Sequence, residues 1–135
     1  MAYGAQAKRI DRNYKSKRPV LLRHDRYTII PPKQFHFTFV SRLQNLALSA
    51  IENLCRANDV FVSKPDIPSQ KERLSYQRSV MTDLKVLGYI ALLSLEQGCI
   101  LPKQYEQISR QIAYCQNLLG AWMNSDRRRL SSDGT

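Results

Sequence analysis

The chain has 135 residues and a formal charge of +10, from 21 Lys and Arg against 11 Asp and Glu. An apolar fraction of 43% suits one globular domain and is too high for a wholly disordered chain. Five glycines leave little for a glycine-cradle cofactor fold, and the longest apolar runs, such as Ile90–Leu93, are too short to span a membrane.

The charge divides the chain into a basic N-terminal arm (1–34), a near-neutral core (35–125) and a basic, disordered tail (126–135). The arm carries Lys8, Arg9, Arg12, Lys15, Lys17, Arg18, Arg23, Arg26 and Lys33 against only Asp11 and Asp25. A basic arm on a near-neutral core attracts a polyanion, because each neutralised phosphate releases counterions. Tyr3, Tyr14, Tyr27 and His24 are interleaved with these cations. Aromatic rings can stack on unpaired bases while Lys and Arg hold phosphates. The arm is charged with no apolar stretch behind it, so no secretory leader is expected. Its secondary structure is ambiguous: a short strand at 26–30, or a short first helix interrupted by Pro19.

The first clear helix is predicted from about Phe37 to Ala57. Val40, Leu43, Leu46, Ala47, Ala50, Ile51 and Leu54 recur at steps of three and four, which places them on one face. Pro31-Pro32 is expected to bar helix before it, with Thr38 or Ser41 as its cap. An irregular loop from about Asp59 to Ser69 follows, kept open by Pro65 and Pro68, with Phe61 and Val62 able to tuck against the core. The second helix is predicted over about Gln70 to Gln97. Leu74, Met81, Leu84, Leu87, Gly88, Ala91, Leu92 and Leu95 form its stripe, and Val80, Ile90 and Leu93 widen it enough for neighbours on two sides. Gly98 is a natural residue to end it, and Gly88 suggests close approach of a neighbouring helix.

The third helix starts at Leu101-Pro102 and is predicted to end near Asn124-Ser125. Tyr105, Ile108, Ile112, Cys115, Leu119 and Trp122 step by 3, 4, 3, 4 and 3, a heptad seam whose last member is expected in the core or at a subunit contact. Short connections imply antiparallel neighbours. The fold class is therefore all-α, an up-down four-helix bundle of three clear helices and a weaker first one.

Catalytic chemistry is not expected. His24 and His36 have no nucleophile or ligand partner at useful spacing, and His36 between Phe35 and Phe37 suits a packing role. Asp83 with Glu96 or Glu106 is the only conceivable carboxylate pair, and a solvated helix face explains it better. Cys55, Cys99 and Cys115 are odd in number and widely spaced, so they suit small buried residues in a reducing, cytoplasmic setting. No metal or cofactor is implied.

Three stretches bear a family resemblance. Gln104-Tyr105-Glu106-Gln107-Ile108-Ser109 followed by Leu118-Leu119-Gly120-Ala121-Trp122-Met123 pairs a tyrosine-bearing helix start with a Leu-Gly-small-Trp end and a basic tail. Phe39–Asn58 and Leu84–Tyr89 agree with it. Over roughly residues 33–129 the chain resembles a family of small four-helix bundles. That family comprises the accessory variability determinant of diversity-generating retroelements and the proteins encoded in ribosomal RNA intervening sequences. The resemblance implies a homopentameric ring with a positively charged surface that binds nucleic acid, both template RNA and cDNA. For the retroelement branch it also implies a reverse transcriptase partner and a non-catalytic role in mutagenic cDNA synthesis. Arg127, Arg128 and Arg129 follow the Trp-bearing element and are carried over as nucleic-acid contacts. No other residue is carried over; Tyr105, Ile108, Ile112, Leu119, Gly120 and Trp122 are expected as core or interface positions of the helix itself. The family opens with a long amphipathic helix, whereas residues 1–30 here are basic, broken by Pro19 and without a stripe. The intervening-sequence branch implies instead a structural homo-oligomer whose charges serve solubility.

Overall fold

The computed structural model describes residues 32–131. The basic arm from Lys8 to Arg26, its expected weak helix and the strand candidate lie outside the described residues. Among the described residues there are three helices and no strand: α1 (Pro32–Asp59), α2 (Ile67–Glu96) and α3 (Pro102–Ser131).

Each boundary has a local cause. Helix α1 opens at Pro32, ahead of the predicted Phe37. A proline at the first helical position lacks an N–H that has no intrahelical partner anyway, so Pro32 starts the helix it was expected to bar. Thr38 and Ser41 consequently sit inside α1 and are not caps. Helix α2 also starts earlier than predicted. Asp66 caps it, its carboxylate accepting from the Ser69 amide at 3.2 Å and the Ser69 hydroxyl at 2.7 Å. Pro68 falls in the first turn, where proline is tolerated, so it does not keep that segment irregular. At the other end Gly98 takes the left-handed conformation (φ 71°), as its position suggested. The Cys99 amide donates to Ser94 O at 2.8 Å and the Gly98 amide to Leu95 O at 3.1 Å, closing a Schellman motif. Helix α3 begins at Pro102, with the preceding Leu101 amide donating to Gln104 Oε1 at 2.8 Å. It runs past Asn124-Ser125 to Ser131, so the first part of the expected disordered tail is helical. No glycine or proline intervenes there, and arginines are good helix formers that favour a C-terminal turn.

The helices run up, down and up. Leu43 packs near Ala91 and Leu92, and Ser49 reaches Asp83, so α1 and α2 are antiparallel. Tyr105 meets Ala91 and Leu92, while Ile112 and Leu119 meet Val80 and Leu84, so α2 and α3 are antiparallel too. Helix α2 is the central member. Both α1 and α3 pack on it, and their own backbones do not come close to each other, which is the two-sided contact its wide stripe foretold. The core is therefore two clusters along α2, one around Val80, Leu84, Ile112 and Leu119, the other around Ala91, Leu92 and Tyr105.

This arrangement leaves part of the predicted core uncovered. An apolar groove of about 680 Å³ runs between α1 and α3, lined by Leu46, Ile51, Leu54, Leu84, Leu118 and Trp122. On α1, Leu46 and Ala57 are buried, but Ala47, Ile51 and Leu54 are exposed, Ile51 by 58%. On α3, Cys115 is exposed, as is Cys55 on α1; only Cys99 is the buried small residue expected of the cysteines. Gly88 is not a point of close approach: a Cβ there would lie 3.9 Å from Ile112 Cδ1, ordinary contact. Gly120 is half-buried with nothing within 4 Å of a Cβ position, so it does not enter the core.

Candidate nucleic-acid interface

The tail arginines occupy the last turns of α3, and all three are exposed. They are not equivalent. Arg129 Nη2 donates to Asp126 Oδ1 at 3.2 Å. Arg127 Nη2 donates to Asn124 Oδ1 at 3.0 Å, and Arg128 Nε to Asn124 O at 3.4 Å. Arg127 and Arg128 therefore bind only neutral acceptors and keep their full charge toward solvent. Arg129 is partly neutralised.

Behind them lies a polar cluster that reasoning from sequence missed. Asp126 and Arg73 form an ion pair at 3.2 Å with side chains 12% and 14% exposed. Arg73 Nη1 faces both carboxylate oxygens, and its Nη2 donates to Val60 O at 2.7 Å. The Gln77 amide, 1% exposed, donates to Asp126 Oδ2 at 3.1 Å. The guanidinium carbon sits 5.6 Å from the centre of the Trp122 ring, a cation–π distance. Arg73 Nε is buried without an acceptor. The cluster ties α3 to α2 and to the α1–α2 loop. A signal for it exists: Asp126 is four residues beyond Trp122, the next position of the heptad seam. An acid there needs a buried partner. The signal was lost because the helix was expected to end before it.

Of the seam positions, Tyr105, Ile112 and Leu119 are buried, while Ile108 and Trp122 are half-buried against the same clusters. Trp122 packs on the core and also lines the open groove.

Asp83 accepts from the Ser49 hydroxyl at 2.8 Å and the Asn53 amide at 3.4 Å, and Glu106 pairs with Arg110 at 3.0 Å. The conceivable pairing of Asp83 with Glu106 is thus not made. Among the described residues no three His, Cys, Asp or Glu side chains converge as a metal site, and no helix is long and apolar enough to cross a membrane. His36 is exposed.

The local electrostatics follow these bonds. Asp66 is held below its ordinary value by the Ser69 hydroxyl first and the Ser69 amide second. Burial pushes the Cys99 thiol up. Protein-family models, curated proteins and solved structures were each compared with the chain, and none of them matches it.

Proposed function

We propose that the chain is a non-catalytic accessory protein that binds nucleic acid. In this proposal it works beside a reverse transcriptase on the template RNA of a diversity-generating retroelement, supporting mutagenic cDNA synthesis. One observation carries the nucleic-acid part: among the described residues, exposed cations without an ion pair outnumber the exposed acids without one, which are Asp59 and Glu72. Glu52, Glu106 and Asp126 sit in ion pairs, while Asp66 and Asp83 are taken up by hydroxyl and amide donors. Arg42, Lys103, Arg127 and Arg128 are exposed on α1 and α3 without an ion pair among the described residues. The arm contributes most of the net +10 of the sequence. The retroelement assignment rests on the Leu-Gly-Ala-Trp element and its basic tail. The same proposal makes the chain a four-helix bundle, its weak or short first helix supplied by the arm, in a protomer of a homopentamer.

The test is copurification of the full chain with its native partners, followed by sequencing of bound RNA. A structured RNA beside a reverse transcriptase is the expected result. Replacing Arg12, Lys15, Lys17 and Arg18 by alanine is expected to weaken RNA binding with helicity unchanged. Unaltered affinity refutes the role given to the arm.

A second reading, the structural homo-oligomer, is favoured by the apolar surface around the groove. Ile51, Leu54 and Leu118 are 58%, 41% and 54% exposed, and such a patch asks for cover. It predicts a defined oligomer by light scattering and equal affinity for RNA and for a simple polyanion such as heparin.

A further inference from the structure

We propose that the outer face of α2 is a track for the phosphate backbone of nucleic acid, built from Lys71, Arg78 and Lys85 and terminated by Tyr89. The inference rests on the nucleic-acid reading above and adds a surface separate from the arm and the tail. The three cations are spaced by seven residues, and Tyr89 follows four later. Seven residues fall just short of two turns, so each step drifts only about 20° around the helix. At 1.5 Å rise per residue, successive charges stand about 10.5 Å apart along one side.

All four side chains are exposed, Tyr89 by 60%. Lys71, Arg78 and Lys85 make no ion pair among the described residues. Small side chains separate them: Ser75, Ser79 and Thr82. The hydroxyls of Ser79 and Thr82 are folded back onto the carbonyls of Ser75 and Arg78 at 3.1 Å. Only these short side chains lie in line between the charges, and a cleft of about 830 Å³ opens beside them, bounded by Asn53, Leu74 and Asp83.

The acids of α2 do not cancel the track. Glu72 and Asp83 lie more than a quarter-turn round from it, and Asp83 is turned toward Ser49 and Asn53 of α1. Glu96 is half-buried beyond Tyr89. The partner is nucleic acid and not an anionic membrane, because a membrane-surface helix needs an apolar strip to insert beside its cations. The apolar sides of α2 are already occupied by α1 and α3. An exposed tyrosine in line with the cations suits an unpaired base, which stacks on any aromatic face. The ligand class is accordingly single-stranded nucleic acid, held by its phosphates along the track and by one stacked base at its end.

The experiment is fluorescence-anisotropy titration of a labelled single-stranded RNA of mixed sequence with the full chain over a series of salt concentrations. Lys71→Ala/Arg78→Ala/Lys85→Ala is expected to weaken binding and to reduce the slope of log K against log salt by about 2, at about 0.7 per phosphate on a single strand. Tyr89→Ala is expected to weaken binding about tenfold with the slope unchanged, as loss of stacking without loss of charge. Lys71→Arg/Lys85→Arg is expected to keep the parent slope, which separates charge from any structural role. Circular dichroism confirms that each variant keeps its helices. A triple variant with the parent affinity and slope overturns the track. Should the parent bind RNA and lose it only through the arm variant, the track fails and the nucleic-acid function stands. Should the parent not bind RNA at all, both fail together.

Discussion

Replacing Asp126 by alanine removes the one acid that compensates Arg73 inside the protein. The guanidinium side chain is 14% exposed, and after the substitution its remaining partners are Val60 O and the face of Trp122. The Gln77 amide, 1% exposed, loses its carboxylate acceptor as well. Removing one member of a buried ion pair costs about 3–5 kcal/mol, because the other charge is left without compensation. For a domain of this size each kcal/mol moves Tm by roughly 4 °C or more, so a fall above about 10 °C is expected. The assay is thermal and urea unfolding followed by circular dichroism, with parent and variant compared at equal concentration. Glu106→Ala serves as the reference. Its pair with Arg110 has side chains 62% and 58% exposed, and an exposed pair on one helix is worth only about 0.3–0.5 kcal/mol. Arg73→Met combined with Asp126→Leu should recover much of the loss, since an apolar pair leaves no stranded charge. An Asp126→Ala variant that melts within a degree or two of the Glu106→Ala variant refutes the claim that α3 is pinned to α2 by a desolvated charge pair.

Three further outcomes follow from the geometry. Gly88→Ala should stabilise the protein by up to about 1 kcal/mol, because the helix gains propensity and the added Cβ meets Ile112 at an ordinary 3.9 Å; denaturant titration measures it. Iodoacetamide should label Cys55 and Cys115 in the folded protein but spare Cys99, which is buried with its thiol pushed up; mass mapping of labelled peptides reads this, and equal labelling of all three would count against the placement of Cys99. The lowered Asp66 carboxyl contributes stability that is present above its ordinary value of 3.8 and is lost as pH falls through its lower folded value. Asp66→Ala should therefore melt earlier than the parent at neutral pH, and the gap between them should narrow in acid; a gap that stays constant down to the acid limit contradicts the cap.

The three helices were legible because their apolar residues recur at three and four residue steps over long stretches. The errors fell at the ends. Pro32 and Pro68 look like barriers in the sequence, although a proline in a first turn forfeits no hydrogen bond. The end of α3 was placed at Asn124-Ser125, although neither residue is strong enough to stop a helix followed by three arginines. That error had a second consequence. With the helix cut short, Asp126 was assigned to a solvated tail and not to the seam, and its pairing with Arg73 and Gln77 passed unseen. The row of Lys71, Arg78 and Lys85 was present in the spacing but carried no meaning until the opposite sides of α2 were known to be packed. Charge totals by segment, dominated by the arm, concealed it.

The sequence by itself determined that residues 32–131 are built from helices and where their apolar stripes lie, since these follow from side chains a few residues apart on one rod. Which stripe is covered was decided only by how the rods dock. With α2 in the middle, the backbones of α1 and α3 stay apart, so Ile51, Leu54 and Leu118 border an open groove while Ala91 and Leu92 are sealed. The Arg73–Asp126 pair joins residues 53 positions apart, and no spacing rule links them. Their meeting depends on the register of two antiparallel helices, a property of the packed core and not of either segment.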